Sequence, residues 1–280
     1  MARVKKTDCV GVDGSMLNWL LQSTQRKQIV SGKPLAQVHS CLLEVKDSEM
    51  STTSLVRDGK TSLSHFNIPC DSSNNTTIPI PDIERMLGAL KFHGNKVHLF
   101  FEEEAGKLRL ISGNKQTTLK TNTGALAYPN SRDTITNWVE KSHTLAEKIT
   151  EEGYKMSDGS IREPMLTTTV NAKDLFEALR CDTMNGQKLN RYTLSVEKNV
   201  LMASVGEDLK GRTESILTNV DEQPKDWSWS FEGGLDNVAS SVTGDIVIDF
   251  LDFRPEGQGI RMVLWLNDCT SWVYQAGVVR

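Results

Sequence analysis

Five histidines, His39, His65, His93, His98 and His143, and five cysteines, Cys9, Cys41, Cys70, Cys181 and Cys269, are the side chains of this 280-residue sequence most able to bind a metal or act as nucleophiles. Their spacing assembles neither chemistry. No His-x-x-x-His and no Cys-x-x-Cys occurs, so neither a zinc hydrolase nor a structural zinc is expected. His39 falls on an apolar strand face, where a satisfied core histidine explains it better than a ligand. The odd, scattered cysteines argue against a disulfide framework and for reduced, mostly buried thiols. Asp58-Gly59-Lys60-Thr61-Ser62 imitates the end of a phosphate loop, but Ser54 stands where that loop needs its first glycine, so the segment reads as a hairpin. Glu102, Glu103 and Glu104 are consecutive at a strand end and point to alternate faces, which suits a solvated turn rather than proton transfer. Asp245, Asp249 and Asp252 are likewise spread along a strand and its turn. No Gly-x-Gly-x-x-Gly or Gly-x-Ser-x-Gly is present. The expectation is a protein that is not an enzyme, with no cofactor and no metal.

The elements carry more information than any motif. At 38% hydrophobic and 24% charged residues the chain is globular, and its length suits about two domains. No apolar run approaches the ~20 residues of a membrane span, and the polar start Met1-Ala2-Arg3-Val4-Lys5-Lys6 lacks a signal-peptide core. An intracellular protein with no membrane partner is expected. Net charge is −4, but up to Tyr128 there are sixteen Lys and Arg against twelve Asp and Glu, net +4, leaving −8 for the remainder. A surface for a polyanion must therefore be confined to one face.

The spacing predicts a repeated order. A strand at Val4 to Val12 precedes a helix capped by Asp13 or Ser15, carrying Met16, Leu17, Trp19, Leu20 and Leu21 and continuing past Arg26 and Lys27 to near Gly32. Strands follow at Gln37 to Val45, Met50 to Val56 and Thr61 to Ile68, then a polar loop from Asp71 to Thr77. A second helix starts at Pro81, buries Ile83, Met86, Leu87 and Leu90, and stops at Gly94. Three strands, Lys96 to Glu102, Lys107 to Ser112 and Gln116 to Thr121, complete the half.

The same order returns. A strand from Met165 to Val170, a helix capped by Asn171, and strands near Arg191 to Val196, Val200 to Val205 and Lys210 to Thr218 form its first part. Trp227 to Ser230 leads into a helix from Phe231 to Val242, and strands at Asp245 to Leu251, Gly259 to Leu266 and Thr270 to Val278 close it. The predicted domains are residues 1–121 and 165–280, joined by a connection at 122–164 whose Asp133 to Glu152 stretch is helix-like.

This order resembles the DNA sliding clamps, specifically the two-domain, trimer-forming class of proliferating cell nuclear antigen and the T-even phage clamps. Asp13-Gly14-Ser15-Met16-Leu17, Leu43-Glu44-Val45-Lys46-Asp47-Ser48-Glu49-Met50 and Leu90-Lys91-Phe92-His93-Gly94-Asn95 are similar to that family's first helix start, its strand and Asp-Ser turn, and the end of its second helix. The long connection, the few cations of the second half and the end Val278-Val279-Arg280, which is not an acidic tail, depart from it. The resemblance implies an α+β DNA clamp fold: duplicated domains with inner helices on outer antiparallel sheets, forming a ring of three subunits.

It also implies a DNA polymerase processivity factor that encircles double-stranded DNA without reading sequence, with DNA polymerase and a clamp loader as partners. The setting would be the nucleoid in the cytoplasm of a prokaryotic or phage-infected cell. Helix cations Arg26, Lys27, Arg85, Lys91, Lys173 and Arg180 are the DNA-binding candidates, and ordinary solvated helix polarity is the competing explanation for them. Met50, Tyr274, Ala276 and Val279 are the partner-peptide pocket candidates, with core packing equally open for Met50 and Tyr274. Subunits would pair a strand near Gln116 to Thr121 with one near Lys210 to Thr218. A monomeric DNA-binding processivity subunit and a β-rich viral structural or scaffold protein remain as alternatives.

Overall fold

The computed structural model describes residues 9–30, 33–56, 62–72, 74–121, 147–150, 153–156, 159–184, 191–207, 211–221, 225–232, 235, 238, 242–266 and 271–278. The chain divides into two compact units: Met1–Gln25, Val38–Arg57 and His65–Ile135, and Arg26–Gln37, Asp58–Ser64 and Thr136–Arg280.

Strand β1 (Cys9–Asp13) enters helix α1 (Gly14–Gln25), followed by a hairpin of β2 (Lys27–Val30) and β3 (Lys33–Ala36). Then come β4 (Cys41–Lys46), β5 (Glu49–Leu55), β6 (Ser62–Pro69), β7 (Thr76–Ile80), helix α2 (Ile83–Leu90), β8 (Lys96–Glu102), β9 (Lys107–Ser112) and β10 (Lys115–Lys120). A small sheet of β11 (Glu147–Thr150), β12 (Gly153–Lys155) and β13 (Ile161–Arg162) precedes β14 (Leu166–Asn171) and helix α3 (Ala172–Met184). Strands β15 (Arg191–Glu197), β16 (Val200–Glu207), β17 (Gly211–Asn219), β18 (Trp227–Glu232), β19 (Asp245–Phe253), β20 (Gly259–Leu266) and β21 (Ser271–Ala276) complete the order.

In the first unit neighbouring strands run β1-β8-β9-β10 and β6-β5-β4-β7; in the second they run β14-β19-β20-β21 and β17-β16-β15-β18. The second pair of orders repeats the first strand for strand, so the duplicated α+β order expected from the sequence is observed. Local chemistry repeats too. The Asp13 carboxylate accepts from Ser15 N at 2.8 Å, and the Asn171 side chain accepts from Lys173 N at 3.0 Å, capping α1 and α3 alike. The amide that opens each helix donates to a distant carbonyl, Gly14 N to Asn95 O at 2.6 Å and Ala172 N to Gly244 O at 2.9 Å. Two-residue turns with positive φ join β4 to β5 at Asp47 (52°) and Ser48 (64°), and β15 to β16 at Lys198 (51°) and Asn199 (63°). Such turns match the right-handed twist of the strands they join.

Each helix lies on sheet through its apolar side. α1 buries Leu17, Leu20 and Leu21, and α3 buries Leu175, Ala178 and Leu179. Removing each leucine from water contributes about 2 kcal/mol.

Four sequence expectations change. α1 ends at Gln25 instead of continuing to Gly32, because Arg26 takes φ +47° and the chain turns into β2. The polar segment before Pro81 contains β7, an edge strand beside β4 that tolerates Pro79 because an edge leaves one side of the ladder unused. Trp227–Glu232 is strand β18, its alternating Trp-Ser-Trp-Ser-Phe paired with β15, so Phe231 is not helical; Leu235 and Val238 beyond it are helical and buried. Within the proposed connection helix, Glu147–Thr150 is strand β11; residues 133–146, 151 and 152 lie outside the described residues. The hairpin of β11 and β12 closes at Gly153, where a Cβ would stand 2.7 Å from the Arg162 carbonyl oxygen.

That small sheet is fastened within the second unit by a fully buried carboxylate. Asp249 on β19 accepts from the Tyr154 hydroxyl, from Thr167 Oγ1 at 2.6 Å and from Trp265 Nε1 at 3.0 Å. At the other end Arg162 donates to the Asp252 carbonyl at 2.5 Å, pairs with Glu256 at 2.6 Å and lies 4.1 Å from the Phe253 ring centroid. Truncating Asp249 to Ala removes the acceptor shared by the buried Tyr154 hydroxyl, the half-buried Trp265 indole and the exposed Thr167 hydroxyl, and is expected to cost about 2 kcal/mol in urea unfolding. His65 supplies a pH test. Burial holds its imidazole below the ordinary pKa, outweighing the opposite pull of Glu44 and Glu49, so the unfolded chain binds the extra proton. Stability is therefore expected to fall as pH drops below about 6.5, and the urea midpoint should fall less in His65→Gln.

Candidate nucleic-acid interface

Among the described residues most of the groups that could have done chemistry are separately engaged or buried, while His143 and Cys269 lie outside those residues. Cys9 Sγ lies 3.5 Å from His98 Nδ1, Thr53 Oγ1 2.9 Å from His65 Nδ1, and Thr117 Oγ1 2.8 Å from His93 Nε2. His39 is exposed and off any strand, contrary to its expected place in the core. Burial pushes the Cys41 thiol up to about 12 and the Cys70 thiol to about 11, so neither is a ready nucleophile. Glu102 pairs with Arg109 at 2.5 Å, Asp249 is buried in the network above, and Asp252 is held below the usual carboxylate range chiefly by its hydrogen bonds from Arg254. Among the described residues no group of three His, Cys, Asp or Glu could hold a metal ion. No helix there is long and apolar enough to cross a membrane.

The helices carry the remaining candidates. Asp82 caps α2 by accepting from Arg85 N at 2.9 Å, and with Ile83, Met86, Leu87, Ala89 and Leu90 buried, Arg85 and Lys91 are left exposed. Glu84 on the same helix accepts from Gln25 Nε2 of α1 at 3.0 Å. On α3, Lys173, Asp174, Glu177 and Arg180 are exposed opposite the buried apolar side. Lys173 lies 3.9 Å from Glu177, and the Arg180 guanidinium stands 5.8 Å from the Phe176 ring centroid. α1 contains no charged residue.

Arg26 and Lys27 do not belong to this set as expected. Arg26 is 1% exposed, donating Nη1 to Ser62 Oγ at 2.5 Å, and Ser62 in turn donates to the Tyr274 carbonyl at 3.2 Å. It is an internal strut of the second unit. Lys27 starts β2 and is half-buried. The peptide-pocket candidates change as well: Met50 and Tyr274 are core residues of their own units, at 0% and 2% exposure. Ala276 is half-buried at the end of β21, and Val279 lies outside the described residues.

The two strands expected to make subunit contacts carry exposed apolar side chains on or near them that sequence reasoning did not single out. β10 and β17 each end a sheet, leaving a row of unpaired backbone groups. Ile216 on β17 is 71% exposed. Phe92, just past α2, is 69% exposed, and the neighbouring His93 is hydrogen-bonded to Thr117 of β10. The signal was present in both cases: a large apolar residue on the polar side of an otherwise regular pattern.

The fold is that of the DNA sliding clamps. Among solved structures the chain is similar to the A. fulgidus PCNA bound to the C-terminal region of FEN-1, at TM-score 0.64 and 13% identity over 97% of this chain and 98% of that one. It is also similar to the DNA polymerase sliding clamp of Bacillus subtilis (TM-score 0.68, 13% identity, 99% of this chain and 66% of that one). The DNA polymerase III beta subunit of Thermotoga maritima is similar at TM-score 0.62 and 16% identity, over 97% of this chain and 65% of that one. The chain thus spans about two-thirds of the length of these two bacterial clamps. No family model and no curated protein matches it.

Replacing Arg85, Lys91, Lys173 and Arg180 together by Ala is expected to weaken duplex DNA binding and flatten its log–log salt dependence by up to about three units. Stability should stay within about 1 kcal/mol of wild type. Arg26→Ala is expected to do the reverse, costing about 2 kcal/mol in denaturant unfolding and leaving the salt slope unchanged.

Proposed function

We propose that this protein is a DNA polymerase processivity factor: a non-enzymatic sliding clamp that closes around double-stranded DNA and tethers replication proteins to it. The observation that carries this reading is the strand-for-strand duplication in the clamp fold, with helices on the sheets and a free edge strand in each unit. Helix cations supply weak, sequence-independent phosphate contact, which holds a duplex and lets it slide. The likeness of the duplicated domains to the A. fulgidus PCNA over 98% of its length supports the two-domain, trimer-forming class.

In such a ring β10 of one subunit pairs with β17 of the next, and the same head-to-tail contact covers Phe92 and Ile216, the exposed apolar residues beside the two edges. Clamp domains 1–121 and 165–280 with the connection 122–164 make one subunit, so three subunits give six domains. Ala276, half-buried at the end of β21, and Val279 are the proposed partner-peptide contacts, while Met50 and Tyr274 pack the cores of their own units. DNA polymerase and a clamp loader are the proposed partners, acting at the nucleoid of a prokaryotic or phage-infected cell.

Light scattering across a concentration and salt series is expected to give three times the subunit mass, and primer extension with the cognate polymerase is expected to lengthen products. A strict monomer without stimulation rejects the clamp. Ile216→Glu should shift the mass towards one subunit with the circular-dichroism spectrum unchanged; a trimer as stable as wild type would reject the assigned contact.

A further inference from the structure

The cations on α3 are not presented to solvent alone. At 100° per residue, Arg180 lies about 20° to one side of Lys173 around the helix axis and Glu177 about 40° to the other, so the three share one stripe. The Lys173 ammonium and the Glu177 carboxylate approach to 3.9 Å, with side-chain exposures of 78% and 62%. Arg180 is drawn over the Phe176 ring at 5.8 Å. An exposed pair of this kind contributes little to folding. Its position nevertheless decides what a polyanion meets: the face with two cations for phosphates also carries a carboxylate that repels them. On α2, by contrast, the carboxylate of Glu84 is engaged by Gln25, and neither Arg85 nor Lys91 makes an ion pair among the described residues.

We propose that Glu177 is an affinity-limiting residue on the DNA face of α3, holding Lys173 in an internal pair and opposing phosphate, so that the helix contacts the duplex without gripping it. This rests on the reading that the helices face DNA. To bind a phosphate, Lys173 must leave or share Glu177, and the carboxylate then faces the phosphate across a few ångströms. Both effects raise the free energy of the bound state and bring the dissociation rate up, which suits a protein that must move along its ligand rather than stay at one place. Asp174, about 100° from Lys173 around the helix, is too far round to act in the same way.

The test is equilibrium binding of the full chain to a fluorescent linear DNA duplex across a salt series, comparing wild type, Glu177→Gln, Asp174→Asn, Lys173→Ala and the Lys173→Ala/Glu177→Gln double variant. Glu177→Gln is expected to tighten binding about fivefold near 0.1 M salt and to steepen the log–log salt slope by about one, the signature of a cation released to phosphate. Asp174→Asn should tighten it much less, and most of the Glu177→Gln gain should vanish in the Lys173→Ala background. Wild-type affinity and slope in Glu177→Gln would overturn the proposal, as would an equal gain in Asp174→Asn, which would make the effect one of net charge alone. A gain that persists in full without Lys173 would overturn it too. Primer-extension stimulation is read separately. Lengthened products with an unaltered Glu177→Gln slope remove this proposal and leave the clamp, whereas no stimulation with a steepened slope removes the clamp and leaves the DNA face.

Discussion

A strand at the end of a sheet carries backbone donors and acceptors that nothing in its own sheet can satisfy. That constraint organises this molecule. Each unit builds two four-strand runs in the same order, covers them with helices, and leaves β10 in one unit and β17 in the other at an end. Free edges of this length are an aggregation hazard unless they are guarded or used. Here β10 carries Lys115 and Lys120 at its two ends, and β17 carries Arg212 and Glu214, charges that discourage indiscriminate pairing while permitting a selected one. A duplicated chain that ends a sheet on β10 in one copy and on β17 in the other presents, at those positions, the unpaired edges that head-to-tail assembly uses.

The parts of the fold that were legible in the sequence are those fixed by local period and capping. Asp13 before an apolar 3–4 repeat, and Asn171 before another, gave α1 and α3, and the β8–β9–β10 and β19–β20–β21 runs follow from apolar alternation between turn residues. What was hidden depended on neighbours far along the chain. β7 is polar at its start and contains Pro79, so only its pairing with β4 makes it a strand. The Trp-Ser-Trp-Ser-Phe alternation of β18 did carry the strand period, but the apolar residues beyond it suggested a helix beginning too early.

The candidate site was less legible for a related reason. Charge type is written in the sequence, whereas exposure is not. Arg26 and Lys91 both stand at the end of an amphipathic helix, yet one is enclosed with Ser62 and the other is in water. The difference comes from the chain's direction after the helix: a left-handed residue turns inwards at Arg26, while Lys91 keeps helical geometry and stays on the surface. The same holds for Met50 and Tyr274, whose side chains fill the cores of their own units.

The buried carboxylate of Asp249 gives the second unit a spectroscopic property as well as a fastening. Trp265 bonds through its indole nitrogen to both Asp249 and the Tyr154 hydroxyl, and its ring stacks on that tyrosine with centroids 6.3 Å apart. An indole held between a negative charge and a phenol has an emission set by both. The Trp265 indole therefore reports on the bond that fastens the segment around Tyr154, in an emission shared with the five other tryptophans of the sequence.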